Sequence, residues 1–218
     1  MHILEQIIAH KKHEVALRKN IVQLSALQQM PFYTRPTYSL KQALLAPGAS
    51  GIIAEFKRCS PSKGSINSTA DPIIVTGAYQ AAGASAVSIL TDEKYFKGCD
   101  GDLMNARPHL HIPVLRKDFI IDEYQLHEAK AIGADVILLI AACLSPSEVR
   151  TLSLLAHHLG LEVLLELHDE IEVGHICDSI DLVGINNRSL KSFEVDIAKS
   201  LQMADQLPAR SEEHTSEL

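Results

Sequence analysis

Short apolar runs alternate with helical segments along most of this chain. The runs are rich in Ile, Val and Leu at successive positions, which is typical of parallel strands covered on both faces. A unit of strand and helix recurs six times, at intervals of roughly 20 to 35 residues. The predicted strands cover residues 51–57, 84–90, 112–117, 135–140, 161–166 and 182–186.

The residues at the ends of the predicted helices support this division into strands and helices. Asp71 before Pro72 is an N-cap followed by proline at the first helical position. The segment from Ser145 to Glu148 has the pattern of a capping box. Three helices are expected to end at a glycine just before the next strand, as a left-handed C-terminal residue. These glycines are Gly83, Gly133 and Gly160.

The N-terminal segment, residues 3–19, precedes the repeating units and has a helical period. Its apolar positions form one stripe among Lys, Glu and His. The residues of this stripe are Ile3, Leu4, Ile7, Ile8, Val15 and Leu17. A proline-containing connection then leads to the first predicted strand.

Polar residues recur where the predicted strands end, which is where α/β proteins carry their chemistry. A single Lys or Glu at such a position is most often a solvated loop residue. Here, however, the pattern recurs at four strand ends, and two of the residues lie within an apolar strand. A barrel would bring the polar residues of all these strand ends together at one end, whereas an open sheet would spread them across its width. No G-x-G-x-x-G follows the first strand, which disfavours a dinucleotide fold. The six residues are Glu55, Lys57, Lys117, Glu166, Asn186 and Arg188.

Composition excludes several classes of protein. The net charge of −7 and scattered Lys and Arg give no basic patch for nucleic acid. No apolar run reaches membrane-spanning length, and the N-terminus has no signal-peptide pattern. The four cysteines are widely spaced without a C-x-x-C, which argues against a zinc site or a disulfide framework. We therefore expect a cytoplasmic protein with no metal.

Five segments closely resemble the indole-3-glycerol phosphate synthase family of tryptophan biosynthesis. The strongest is I-I-A-E-F-K-R-C-S-P-S-K-G-S at residues 52–65, in which Cys59 is a small departure from the family pattern. The others are L-T-D-E-K-Y-F-K-G at 90–98, K-D-F-I-I-D-E-Y-Q at 117–125, L-L-E at 164–166 and V-G-I-N-N-R-S-L at 183–190. The resemblance runs from residue 1 to about Pro208.

This resemblance implies a (β/α)₈ barrel of the TIM type and a carboxy-lyase reaction. The phosphorylated small-molecule substrate, 1-(2-carboxyphenylamino)-1-deoxyribulose 5-phosphate, closes its ring and loses CO₂ and water to give indole-3-glycerol phosphate. The family needs no cofactor or metal, and no nucleic-acid or membrane partner is expected.

The resemblance also assigns roles. Lys117 is expected to be the general acid and Glu166 its acid/base partner, while Lys57 clamps the substrate anions. We expect nearby Lys57 to lower the pKa of Lys117 toward neutrality. Glu55, Asn186 and Arg188 would orient these groups and the substrate, and Ser60 would contact the substrate carboxylate. The apolar pocket around the anthranilate ring would consist of Leu90, Phe96, Phe119 and Leu190.

The resemblance also suggests a division of the chain. Residues 1–50 form a helical extension, residues 51–208 form about six of the eight βα units, and residues 209–218 form a non-native tail. The tail, from Arg210 onward, matches the translation of a common sequencing-library adapter. Three alternatives stay open: another phosphosugar barrel such as phosphoribosylanthranilate isomerase, a non-catalytic barrel fragment, and a parent protein fused to that isomerase.

The expected absence of the last two βα units leads to a prediction about the 218-residue chain. The first and last strands would each keep an unpaired apolar edge, and exposed edges promote association. We expect the 218-residue chain to be aggregation-prone and essentially inactive. Expression followed by gel filtration and a turnover assay checks this, and a soluble, active chain would contradict it.

Overall fold

The computed structural model describes residues 3–61, 63–187 and 197–207, with side chains from residue 200 in the last range. Three helices precede the first strand: α1 (Ile3–Ile21), α2 (Leu24–Gln28) and α3 (Leu40–Leu45). The predicted N-terminal helix is therefore confirmed. Among these residues, no helix combines the length and the apolar character that crossing a membrane requires.

The stripe predicted for α1 is partly wrong. Ile7, Lys11 and Val15 are the buried residues of this helix, and Leu17 is 49% exposed. A helix advances 100° per residue, so positions four apart lie on one face, while Leu17 lies 200° from Val15. The apolar pattern did not reveal that a lysine occupies the centre of the buried face.

The six predicted strands are all present, each within two residues of its predicted bounds. They are β1 (Ile53–Phe56), β4 (Ala86–Leu90), β5 (Val114–Lys117), β6 (Val136–Ile140), β7 (Glu162–Leu167) and β8 (Leu182–Ile185). A short antiparallel hairpin, β2 (Cys59–Ser60) and β3 (Gly64–Ser65), follows β1. The later helices are α4 (Pro72–Ala81), α5 (Glu93–Phe96), α6 (Asp100–Ala106), α7 (Glu123–Ile132), α8 (Pro146–His158) and α9 (Ile197–Ala204), and 3₁₀ turns cover Arg107–His109, Ala141–Cys143 and Glu170–His175.

The strand order decides between a barrel and a doubly wound sheet. The order is β1-β4-β5-β6-β7-β8, and every neighbouring pair is parallel. Each crossover therefore advances one strand in the same direction, whereas a doubly wound sheet reverses direction at a switch point. Right-handed crossovers that never reverse place the helices between the strands on one side of the sheet, which is the winding of a TIM barrel.

Alternation along the strands separates two apolar layers. The outer faces pack against the helices in one large cluster that includes Val87, Ile137 and Leu165. The inner faces form a second cluster, to which Leu115 and Leu138 belong. Side chains alternate along a strand with a period of two. A polar residue at a strand end therefore faces the inner layer when it lies two or four positions from an inner-layer residue of the same strand.

Helix α3 closes the amino end of this inner layer. Leu40 is fully buried and Leu44 nearly so, both within the inner cluster. Glu162, at the start of β7, accepts hydrogen bonds from the Ser39 hydroxyl and from the main-chain N–H of Lys41 (3.0 Å). A carboxylate at the N-terminus of a helix compensates unpaired N–H groups, so it fixes α3 across the barrel floor.

The predicted caps are confirmed. The Asp71 carboxylate accepts hydrogen bonds from the first turn of α4, and Ser145 with Glu148 forms a capping box on α8. The three predicted glycines have φ values of 91°, 96° and 73°. The middle one, Gly133, is the most constrained, since a Cβ there would lie 2.8 Å from Cγ of Arg107.

Leu40 and Leu45 offer a matched test of the barrel floor. Leu40 is 0% exposed and Leu45, on the same helix, is 44% exposed. Leu40→Ala leaves a cavity and should lower the free energy of unfolding by about 2–5 kcal/mol. Leu45→Ala should change it by less than about 0.5 kcal/mol. Urea unfolding in dilute solution measures both, and equal effects would show that α3 is not packed as described.

Candidate active site

Four strands bring their predicted polar residues to the carboxyl end of the barrel, hereafter the mouth. Glu55 belongs to β1, and Lys57 follows that strand on the same face. Lys117 is the last residue of β5, Glu166 lies in β7, and Asn186 directly follows β8. Arg188, the sixth predicted residue, lies outside the described residues, as does Leu190 of the predicted pocket.

These side chains form a row of alternating charges across the mouth. Lys57 Nζ lies 2.5 Å from Glu55 Oε1, and Glu55 Oε2 lies 3.6 Å from Lys117 Nζ. On its other side, Lys117 Nζ lies 3.4 Å from Glu166 Oε2. The side-chain amide of Asn186 donates a hydrogen bond of 3.2 Å to Glu166 Oε1. Residues from β1, β5, β7 and β8 thus meet across the concave face, as a barrel requires and an open sheet would not allow.

The pKa of Lys117 is raised, not lowered, so the expectation from the sequence is wrong. Burial alone would lower the pKa of this ammonium, but the carboxylates of Glu166 and Glu55 outweigh it. Lys57 cannot produce the expected lowering, because its charge is already paired with Glu55, which lies between the two lysines. At neutral pH Lys117 therefore carries its proton.

Glu166 is shifted in the opposite direction. Burial would raise the pKa of its carboxyl group, and Lys117 and His168, with a hydrogen bond from Asn186, more than reverse this. Its side chain is only 15% exposed, yet its pKa lies well below the ordinary value, so Glu166 is an ionised carboxylate at neutral pH. The central pair is therefore a protonated amine beside an ionised carboxylate.

Sequence reasoning missed His168 and Glu172, which extend the row. His168 Nε2 lies 3.2 Å from Glu166 Oε1, and its Nδ1 lies 3.8 Å from Glu172 Oε2. Neither contact has the alignment of a good hydrogen bond, so both are charge contacts. Alternation along β7 was the available signal, because residue 168 falls on the same face as residue 166.

Two aromatic residues assigned to the apolar pocket lie close together. The rings of Phe96, on α5, and Phe119, just after β5, lie 6.2 Å apart at an angle of 38°. Leu90 is buried at the end of β4 and is the strand partner of Lys117. The chain returns close to this strand end at Gly98, where a Cβ would lie only 2.1 Å from the carbonyl oxygen of Leu90. The two rings therefore flank the same side of the mouth as Leu90.

The loop after β1 is more ordered than its sequence suggests. Ser60 is buried in the hairpin, and its hydroxyl accepts a hydrogen bond of 3.2 Å from the main-chain N–H of Lys63. The guanidinium of Arg58 makes two hydrogen bonds to Asp102 on α6, at 2.5 and 2.9 Å, and stacks over Phe56. These contacts attach the hairpin to the helical layer beside the mouth.

A second group of charges, also missed from the sequence, lies behind Lys117. Lys11 on α1 is 1% exposed and contacts Asp118 (2.9 Å) and Asp92 (3.1 Å). Asp118 also lies 3.2 Å from Arg116, which is equally buried. Although burial would raise the pKa of Asp118, Arg116 and Lys11 lower it to about 2. Asp118, on one side of Lys117, is thus fixed by an ion pair to the N-terminal extension, and Arg116, on the other side, pairs with Asp118.

Metal-binding geometry is not part of this site as far as the structure describes it. Within the described ranges, no three His, Cys, Asp or Glu side chains are grouped so that they could hold a metal ion. The chemistry assembled at the mouth consists of two amines, three carboxylates, an imidazole and an amide. Such groups transfer protons and bind anions.

A singly wound parallel sheet with its charged groups at the carboxyl ends of the strands defines a barrel enzyme of the TIM class. A family model described as indole-3-glycerol phosphate synthase matches residues 4–217. With that match, the chain belongs to the indole-3-glycerol phosphate synthase family.

Relatives with that name support the assignment. The protein of Bacteroides thetaiotaomicron is 52% identical over 206 residues, which cover 94% of this chain and 79% of that protein. Those of Acidithiobacillus ferrooxidans and Neisseria gonorrhoeae are 43% and 42% identical, covering 94% and 96% of this chain and 80% and 82% of their own lengths. Among solved structures, the carboxyl transferase domain of Rhizobium etli pyruvate carboxylase matches with a TM-score of 0.43 at 16% identity, over 71% of this chain and 30% of that one. That likeness is too weak to carry an inference.

Adjacent lysines on α1 test the charges behind the site. Lys11→Met removes the ion pair of the buried Asp92 and leaves Asp118 with Arg116 alone, so it should lower the free energy of unfolding by about 3–5 kcal/mol. Lys12→Met, at the exposed neighbouring position, should change it by less than about 0.5 kcal/mol. Chemical unfolding followed by circular dichroism compares them. A tolerated Lys11→Met would mean that the ion pairs are not buried.

Proposed function

We propose that this chain carries the catalytic residues for the carboxy-lyase reaction of its family on 1-(2-carboxyphenylamino)-1-deoxyribulose 5-phosphate. In this reaction the ring carbon that bears the carboxylate bonds to the ketone carbon, the carboxylate leaves as CO₂, and the new hydroxyl leaves as water. The observation that carries the proposal is the position of Lys117 Nζ between the carboxylates of Glu55 and Glu166 at the mouth.

Lys117 is the general acid in this proposal. Ring closure places negative charge on the ketone oxygen, so a proton must reach that oxygen as the carbon–carbon bond forms. Because its pKa is raised, Lys117 enters the reaction protonated. Its side chain is 26% exposed, so a substrate oxygen can approach the ammonium from the open side of the mouth.

Glu166 is the acid/base partner in the dehydration. Loss of water requires a proton on the departing hydroxyl and removal of one elsewhere in the ring. Glu166 is ionised before the reaction and can accept a proton through Oε2, which faces Lys117. Asn186 contacts the other oxygen and so restricts rotation of the carboxylate.

Lys57 clamps the substrate anions. It is the most exposed of the charged residues in the row, at 35%, and its partner Glu55 holds it beside Lys117. An ammonium with one side open to solvent can exchange water for a carboxylate or phosphate oxygen. We assign Ser60 to the substrate carboxylate and Arg188 to orientation of the substrate, as the family resemblance implies.

The anthranilate ring binds in the apolar pocket beside Lys117. Phe96 and Phe119 offer ring faces at 6.2 Å separation, and Leu90 adjoins Lys117 across the sheet. Leu190 is assigned to the same pocket from the family resemblance. Such contacts stabilise a bound aromatic ring, because burial removes its apolar surface from water and because neighbouring rings attract each other in tilted or offset arrangements.

The alternatives raised by the sequence are not favoured. Relatives that match most of this chain at 41–52% identity bear the synthase name, and the synthase family model matches nearly its full length. A non-catalytic barrel would have no need to keep Lys57, Lys117 and Glu166 together. The cytoplasm is our proposed location, since all four cysteines are free thiols. Fusion to phosphoribosylanthranilate isomerase stays a hypothesis.

Lys117→Ala tests the role of the general acid. We expect the substitution, made at the corresponding lysine of an intact homologue, to lower kcat by about 10²–10⁴-fold. Substrate affinity should be largely preserved, because Lys57 still binds the anions. Formation of indole-3-glycerol phosphate is followed by its fluorescence, and affinity is measured by calorimetry.

Lys41→Ala is the matched control. Its side chain is exposed on α3, at the opposite end of the barrel, and should have no effect on kcat. Unchanged turnover in Lys117→Ala would remove Lys117 from the assigned role. Failure of both the chain and the homologue to convert this substrate would overturn the proposed function itself.

A further inference from the structure

His168 lies directly beyond β7 with its ring beside the proposed acid/base residue. Its Nε2 is 3.2 Å from Glu166 Oε1, and its side chain is only 7% exposed. No step of the reaction described above uses it. A buried titratable group in contact with a reacting carboxylate needs a physical account, since its charge changes what that carboxylate can do.

Glu172 fixes this ring from the other side. Its carboxylate Oε2 accepts a hydrogen bond of 2.6 Å from the main-chain N–H of His168 and lies 3.8 Å from the ring Nδ1. Glu172 is itself part of the 3₁₀ turn Glu170–His175. The turn is attached to the loop after β6, because the ring of His175 lies 2.9 Å from the carbonyl oxygen of Leu144. His168 is thus enclosed between two carboxylates on a supported turn.

The contacts of Glu166 differ between its two oxygens. Oε1 is approached by the amide of Asn186 and by the His168 ring, each at 3.2 Å. Oε2 is the atom nearest Lys117, at 3.4 Å. One oxygen is therefore held from two sides, while the other faces the amine at the mouth. This asymmetry orients a group that could otherwise rotate about its terminal bond.

We propose that His168, clamped by Glu172, is a positioning residue that holds Oε1 of Glu166 so that Oε2 alone exchanges protons with the substrate. The inference rests on the proposed function, since it assigns a task to the partner of a proposed acid/base residue. It extends the site to a residue that does not touch the reacting atoms.

The charge states agree with this arrangement. Burial would lower the pKa of His168, but Glu166 and Glu172 raise it to about 9. The other groups near these carboxylates are Lys117, beyond Glu166, and the thiol of Cys143, whose pKa burial raises to about 12. The thiol is therefore neutral, and His168 is the cation on this side of Glu166 at neutral pH.

The sign of the pH dependence follows from these directions. Because the pKa of His168 is raised in the folded protein, protonation of its ring adds to the free energy of unfolding. This contribution is complete below pH 6.5 and is lost as the pH rises through about 9. For catalysis, a cation beside Glu166 keeps the carboxyl ionised at lower pH. Removal of His168 should therefore move the acid limb of the kcat profile to higher pH.

His168→Gln is the test, because glutamine keeps a polar side chain of similar length without the charge. In an intact homologue that carries this histidine, we expect kcat to fall by roughly 10- to 100-fold through misplacement of the carboxylate. KM should stay within about twofold, since no substrate contact is lost. Glu172→Gln should also lower kcat, because the ring loses its support, and the double variant should be less impaired than the product of the two single effects.

His157→Gln is the matched control. His157 also pairs with a carboxylate, Asp181, at 2.8 Å, but it lies on α8 away from the mouth. Its replacement should leave both kcat and the pH profile unchanged. Wild-type kcat and an unmoved acid limb in His168→Gln, with turnover intact, would overturn the inference while leaving the proposed function standing.

A measurement without turnover separates the two proposals. NMR titration of the His168 ring and of the Glu166 carboxyl carbon can be made on the unliganded chain. The inference expects the ring to titrate well above 6.5 and the Glu166 pKa to rise in His168→Gln. An ordinary ring pKa, or a Glu166 titration that does not move, overturns it. These two results decide the inference even if the chain fails to convert the substrate.

Discussion

Three consecutive charged residues at the end of β5 have to be accommodated on two sides of one strand. Alternation sends Lys117 into the mouth and sends Arg116 and Asp118 toward the helical layer. Neither outward charge can be left alone in a buried layer, because an unpaired ion there costs several kcal/mol. Lys11 and the acidic residues around Arg116 meet this requirement. The position of the amine in the mouth therefore depends on a helix that contributes nothing to the mouth itself.

The same carboxylates that place Lys117 also change its chemistry. Two acidic neighbours hold the ammonium in position and at the same time raise its pKa, which weakens it as an acid. Positioning and acidity thus oppose each other before the substrate binds. A substrate oxygen that inserts between Lys117 and Glu166 would weaken their attraction, so the proton becomes easier to release at the point of reaction.

Much of the fold could be predicted from local patterns. The apolar runs gave all six strands, and Asp71, Ser145 and Gly133 marked helix ends because their side-chain or backbone chemistry is local. The five described residues of the predicted charged group do meet at the mouth. The order of strands, however, depends on crossovers between distant segments, which no local pattern records.

What could not be predicted depends on partners far apart in the chain. Lys11 looks like any other lysine in a charged helix until the strand ends that it contacts are placed around it. The expected pKa of Lys117 was wrong for a related reason: the two lysines are near in space, but Glu55 lies between them. His168 was hidden by its neighbourhood of acidic residues, which in a sequence alone suggests a solvated loop.

The close approach of Gly98 to Leu90 bears on which aromatic substrates the mouth can admit. Only a hydrogen atom fits between the two backbones, so the turn that carries Phe96 is drawn against the strand end. On the proposed assignment, the width of the ring pocket is set by this backbone contact as much as by the aromatic side chains. Selection for bulkier anthranilate analogues would then have to alter the span of the loop from 91 to 98, since trimming Phe96 leaves the spacing of the backbones unchanged. Gly98, which has no side chain, therefore limits how far side-chain substitutions alone can change substrate selectivity.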